Sequence, residues 1–242
     1  MAPRLPPQRV MPPPVIRHVQ STDELDACVA LQRTIWGADF TECVPRTMLI
    51  IAQKMGGVVA GAFDGDRLVG FVFGLTGVRH GRLAHWSDML AVDPSARDQG
   101  IGRQLKAFQR EAVLTLGVTE MYWTYDPLVA RNAHLNLNRL GAEVVEYVPD
   151  MYGATSSALH GDVPTDRFIV RWRLDGPPAA SPAARTDDRR VDIPLVADDA
   201  DLGRWRAATR QAMMDAIAEG YRVARFCREP EAAYYILSRD RA

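Results

Sequence analysis

Residues 90–105 read Leu90-Ala91-Val92-Asp93-Pro94-Ser95-Ala96-Arg97-Asp98-Gln99-Gly100-Ile101-Gly102-Arg103-Gln104-Leu105. A β-like run stops at a proline, a tight turn follows, and two glycines stand where a helix begins. Without Cβ atoms, Gly100 and Gly102 let another molecule approach the backbone closely. The first turn of a helix carries unpaired N–H groups and a partial positive charge, so this segment is an anion site of the size of a pyrophosphate. The helix dipole contributes about 0.3–1 kcal/mol, and each charge-assisted N–H bond about 1.5–3 kcal/mol. Arg97 and Arg103 supply further donors. Two better-known phosphate loops do not fit. There is no G-x-x-x-x-G-K-[ST], and Leu105 stands where a dinucleotide fingerprint needs its third glycine.

The elements that must position this loop follow from periodicity and turn residues. A short β-like run covers Val15–Gln20. Ser21 or Thr22 then caps a helix opened by Asp23 and Glu24. A second helix spans Pro45–Met55, with proline in its first turn. Two strands, Val58–Phe63 and Leu68–Thr76, flank the hairpin turn Asp64-Gly65-Asp66. Leu83–Val92 is the strand entering the loop. Gly100–Leu116 is the helix leaving it, with Ile101, Leu105, Phe108 and Ala112 on one face and Gly117 ending it. A strand at Glu120–Asp126, a helix at Ala130–Leu140 and strands at Glu143–Val148 and Arg167–Leu174 complete an α/β (α+β) domain over residues 15–174. Residues 175–190, rich in proline, alanine and charge, read as a linker. Residues 191–242 read as a β-α-β-β extension too small for an independent core, so it is expected to dock on the main domain or on a second subunit, as in a homodimer. Residues 1–14 hold six prolines and read as a disordered leader rather than a signal peptide.

Composition narrows the function classes. The formal net charge is −1, which argues against a general nucleic-acid or anionic-membrane binder. No apolar run approaches a membrane span. Three cysteines, Cys28, Cys43 and Cys227, form neither a disulfide framework nor a zinc knuckle, and a cytoplasmic protein is expected. The five histidines lack metal-binding spacing, and no G-x-S-x-G elbow is present, so no metal and no serine nucleophile are expected. All but Lys54 and Lys106 of the 29 basic residues are arginine.

The string V-x-P-x-x-R-x-x-G-I-G-x-x-L after a strand resembles the central motif of the GNAT superfamily of acyl-CoA-dependent N-acyltransferases, R/Q-x-x-G-x-G/A, matched by Arg97, Gly100 and Gly102. The order of elements from Val15 to Leu174 is also similar to that family's. Trp123-Thr124-Tyr125-Asp126-Pro127-Leu128, followed by Arg131-Asn132-Ala133-His134, looks like a bacterial branch of it. The resemblance implies a mixed, mostly antiparallel twisted sheet flanked by helices. It implies acetyl-CoA, or another acyl-CoA, as cofactor and acyl transfer to an amine by direct attack in a ternary complex. Arg97, Asp98, Gln99, Gly100, Ile101, Gly102 and Arg103 would surround the pyrophosphate. Leu90, Ala91 and Val92 would pair with the pantetheine arm in the gap between this strand and the next. Asp88 occupies the position of the family's usual general base, with His85 a second candidate whose ordinary pKa near 6.5 suits the task. The family's usual acid, a tyrosine four residues before the closing glycine, is replaced by Leu137. Tyr152 is the loop residue able to take that part. Asn132 and Asn136, spaced i, i+4, are candidate donors to the cofactor. The missing tyrosine and the extension also admit a non-catalytic acyl-CoA-binding or regulatory module. The acceptor is a small-molecule or peptide amine.

Overall fold

The computed structural model describes residues 13–153, 163–177, 185–196 and 199–239. The leader up to residue 12 and residues 178–184 of the expected linker lie outside these. The main sheet has seven strands in the order β1-β2-β3-β4-β5-β7-β6. They are β1 (Val15–His18), β2 (Val58–Asp64), β3 (Arg67–Arg79), β4 (Arg82–Val92), β5 (Glu120–Tyr125), β6 (Glu143–Val148) and β7 (Arg167–Arg173). Every neighbouring pair is antiparallel except β4 and β5. A parallel pair needs a crossover, and α3 (Ile101–Leu114) provides it.

The helices form where caps and apolar stripes agree. Ser21 accepts the Glu24 N–H while the Glu24 side chain reaches back to the cap, a capping box that starts α1 (Thr22–Trp36). α2 (Arg46–Lys54) follows Pro45. Leu25, Cys28, Leu49 and Ala52 of these two helices pack with Val59, Phe71, Phe73, Met89 and Ala91 on one face of the sheet. Ile101, Leu105 and Val113 of α3 pack with Ala60, Ala62, Val72, Met121 and Trp123 on the other.

The segment after β5 differs from the single helix predicted at 130–140. It is one turn of α-helix, α4 (Ala130–Ala133), running into a π-helical stretch at His134–Arg139. Leu140 N–H donates to Leu135 O at 3.0 Å, an i to i−5 bond, and Asn136 turns inward to take the Trp123 indole N–H at 3.1 Å. A buried indole needs an acceptor, and the wider turn lets the asparagine reach it.

The C-terminal extension is a second sheet, β8-β10-β9, with one helix. Its elements are β8 (Arg189–Ile193), α5 (Asp199–Ala218), β9 (Tyr221–Arg228) and β10 (Ala233–Arg239). It packs on the main domain. Tyr235, fully buried, donates to Pro127 O at 2.8 Å, and Asn138 donates to Phe226 O at 3.1 Å. Among the described residues no helix is long and apolar enough to cross a membrane, and no cluster of three or more His, Cys, Asp or Glu could hold a metal ion.

Candidate active site

β4 pairs with β3 along its whole length but with β5 only at His85–Met121 and Trp86–Tyr122. Beyond Trp86 the two parallel strands part. The β5-facing edge of residues 87–92 therefore has no strand partner among the described residues. An unpaired strand edge is a template for an extended ligand with amide groups.

The predicted anion loop ends at this edge. Asp93 accepts both the N–H (2.9 Å) and the hydroxyl (2.6 Å) of Ser95, which starts a short turn at Pro94–Ala96. Asp98 (φ 62°) and Gly100 (φ 75°) are both left-handed, a conformation open to aspartate and natural to glycine. Alternating handedness of this kind turns successive N–H groups into a concave nest. Gly100 precedes α3 with no side-chain cap, and no acidic residue occupies the first turn. Among the described residues, the N–H groups of Ile101, Gly102 and Arg103 have no acceptor. A Cβ on Gly100 would meet nothing within 4 Å, so the loop is open on its outer side. Gly102 faces inward, 3.7 Å from Leu90 when a Cβ is built on it, and seats the helix start against β4. Arg97, Gln99 and Arg103 are exposed beside the loop.

Asp88 sits where β4 breaks its register. Phe73 pairs with Met89 and Gly74 with Ser87, leaving Asp88 unopposed as a β-bulge. Bulges re-aim side chains and reverse the alternation beyond them. Before the bulge Trp86 packs with Tyr122, Ile169 and Met151, on the face away from α3. The Trp86 side chain lies near enough to the Asp88 carboxylate to favour its charged form, which puts the carboxylate toward that face. The carboxylate is open to solvent yet has protein on most sides, as a group lining a cleft does. This crowding raises its pKa from the usual carboxylate value, and the Trp86 side chain opposes the rise. Across the parting, Thr124 of β5 shares the Tyr122 face by alternation. Its hydroxyl lies 3.0 Å from that of Tyr152, brought in from the loop after β6.

His85 lies on the opposite face, fully buried. Its Nε2 is 3.0 Å from the Gln109 amide nitrogen and its Nδ1 is 3.0 Å from the Thr76 hydroxyl. Thr76 donates to Gly56 O at 2.7 Å, so its oxygen accepts from His85 Nδ1–H, and Nε2 accepts from Gln109. Burial, assisted by Lys106, pushes the imidazole pKa down to about 3. The ring is neutral and both nitrogens are occupied. Gly74 makes room for it: a Cβ there would lie 2.3 Å from His85 Nε2. The two predicted base candidates thus stand on opposite faces of β4.

The predicted asparagine pair also divides. Asn132 is half-buried, while Asn136 is buried with its oxygen on Trp123. Sequence reasoning missed Lys106. It is 2% exposed, with Nζ 3.9 Å from the Trp123 ring centre and 3.9 Å from Met121 Sδ. Burial alone pushes its pKa well below the usual lysine value. It lies behind the last β4–β5 pair, at the apex of the parting. One signal pointed to it: Gly102, Lys106, Gln109 and Val113 recur at helical spacing beside the apolar stripe.

Comparisons with known proteins bear on the family and the fold. The profile of the Acetyltransferase (GNAT) family matches residues 25–141. No curated protein matches the sequence. Among solved structures, the aminoglycoside 6'-acetyltransferase type Ii superposes with a TM-score of 0.53 at 19% identity, over 68% of this chain and 99% of that one. An aminoglycoside 6'-N-acetyltransferase complexed with coenzyme A gives 0.52 at 16%, over 68% and 99%. The ribosomal-protein-alanine N-acetyltransferase from Brucella melitensis gives 0.53 at 19%, over 66% and 99%. At these identities the superpositions speak for the fold, and the profile match speaks for the family. Residues 25–141 carry a domain that matches the acetyltransferase (GNAT) family.

Proposed function

We propose that this protein transfers an acetyl or other acyl group from acyl-CoA to an amine, by direct attack within a ternary complex. The observation that carries this reading is the unpaired β4 edge running directly into the uncapped N-terminus of α3. The bound cofactor supplies an activated thioester carbonyl. The main chain of Leu90, Ala91 and Val92 pairs with the amides of its pantetheine arm. The N–H groups of Gln99 to Arg103, with Arg97, Asp98 and Arg103 bordering them, receive the pyrophosphate. Asn132 is the amide free to reach the cofactor, since Asn136 is committed to Trp123.

An alkylammonium has a pKa near 10.4 and must lose a proton before it attacks. Asp88 takes that proton on the open face of the bulge. Its raised pKa makes it a stronger base at neutral pH. Tyr152, with its hydroxyl against Thr124 across the parting, donates toward the departing sulfur. His85 takes no part, because neither ring nitrogen is available. No cysteine nucleophile is used.

The test is CoA release from acetyl-CoA, followed with DTNB, over a panel of small amines, amino acids, aminoglycosides and peptide N-termini. In Asp88→Asn, kcat should fall about 100-fold or more with acetyl-CoA affinity unchanged. The wild-type rate should decline as pH drops through the raised Asp88 pKa, and the variant should lack that limb. A variant with the wild-type rate and pH profile removes Asp88 from the role. CoA binding with no turnover on any amine would instead identify a non-catalytic acyl-CoA-binding module.

A further inference from the structure

We propose that the C-terminal extension positions the active site from outside it, with Arg210 of α5 acting as the positioning residue for Tyr152. The inference rests on the role given to Tyr152 above. Arg210 grips the Asp166 carboxylate with two donors, Nε to Oδ2 at 3.0 Å and a second guanidinium nitrogen to Oδ1. Asp166 is fully buried, and its Oδ1 also accepts the Asp150 N–H at 3.0 Å. Asp150 in turn accepts the Thr165 N–H at 2.9 Å, and the Thr165 hydroxyl accepts the Tyr152 N–H at 3.0 Å. Tyr152 then meets Thr124. The relay is unbroken from α5 to the lip of the cleft.

Two further observations support it. Asp150 is held at φ 47°, a left-handed conformation that persists only where surroundings over-determine it. The bonds from Asp166 and Thr165 are what over-determine it. One turn before Arg210, Arg206 binds Asp126 Oδ2, and Asp126 lies two residues beyond Thr124. Arg206 and Arg210 share one face of α5. They therefore hold both partners of the Thr124–Tyr152 pair, one through the end of β5 and one through the loop after β6. The extension contributes no atom to the cleft in this arrangement. It fixes where the tyrosine hydroxyl stands.

The test uses the full chain labelled with 3-fluorotyrosine. The Tyr152 fluorine resonance is assigned by its loss in Tyr152→Phe. In Arg210→Lys, which keeps the charge and loses the two-pronged grip, that resonance should shift and broaden. kcat for CoA release should fall about tenfold or more, with acetyl-CoA Kd unchanged. Arg210→Ala should give the same shift, more strongly. A Tyr152 resonance unmoved in both variants overturns the proposal, even if the melting temperature falls, because that is the result of a purely structural clamp. The Tyr152→Phe rate decides the underlying reading separately: a wild-type kcat there removes Tyr152 as donor, whatever the resonance does in the Arg210 variants.

Discussion

The two loops that border the parting of β4 and β5 reach their shapes by opposite means. The loop from Asp93 to Gly102 is shaped by its own backbone. A turn capped by Asp93, a left-handed Asp98 and a left-handed Gly100 bring it to the start of α3, and no distant side chain caps the helix. The loop carrying Tyr152 also contains a left-handed residue, Asp150, but side chains from β7's approach and from α5 hold it there. Its anchors come from 15 and 60 residues further along the chain. The first construction presents backbone N–H groups, which recognise phosphate without regard to the rest of the molecule. The second presents side chains whose placement depends on tertiary packing.

Substitutions can break or sharpen this contrast. The largest effect is expected at Gly100→Asp. The site has room for a Cβ, and aspartate tolerates φ 75°, so the fold should survive while a negative charge faces the pyrophosphate. Acetyl-CoA affinity by calorimetry should weaken about 100-fold, or about 2.7 kcal/mol, with little change in melting temperature. Unchanged affinity would mean that the backbone loop is not the phosphate site.

A smaller effect should come from the region between the loops. Lys106 is buried with a sulfur and an aromatic ring as its polar contacts. Its folded pKa is depressed, so the unfolded chain binds the extra proton between the two values. Stability is therefore reduced at neutral pH, and the reduction disappears as pH rises past about 10.4. Lys106→Met should raise stability by about 1–2 kcal/mol at pH 7, and by less at pH 10. Chemical denaturation at the two pH values measures this. A loss of stability at pH 7 would show that the cation is favourably held. The smallest effect is expected at Arg97→Ala, where an exposed guanidinium adds to a site already made of backbone. Acetyl-CoA affinity should fall about threefold to tenfold, more at low salt than at high. A loss as large as that of Gly100→Asp would move the main binding contribution from backbone to side chain.

Legibility in the sequence followed the same division. The glycine-bearing loop, α1 with a cap at Ser21 or Thr22 and the strand before the loop were readable, because local residue types set local dihedral angles. Asp88 was placed as a base candidate by the family resemblance, which implies a carboxylate on the strand before the loop. The bulge that turns it to the open face was not readable, since a bulge exists only between two paired strands. His85 and Asp88 are three residues apart, read as second and first base candidates; pairing with β3 and packing against α3 put one inside and one outside. The asparagine pair was read on a regular helix, and the π-helical turn that gives Asn136 to Trp123 arose from a buried indole in another element.

The sequence by itself determined the match of residues 25–141 to the GNAT family, the order of elements and the turn before α3, because each depends on periodicity, capping and glycine geometry within a few residues. Only the tertiary structure decided which titratable groups face the cleft, that one of two lysines lies buried at the apex, and that the extension reaches the tyrosine loop. Those outcomes depend on strand register and on contacts between residues far apart in the chain, such as Arg206 with Asp126, 80 positions apart, and Arg210 with Asp166, 44 positions apart. Register is set by burial of whole faces, and no local pattern records it.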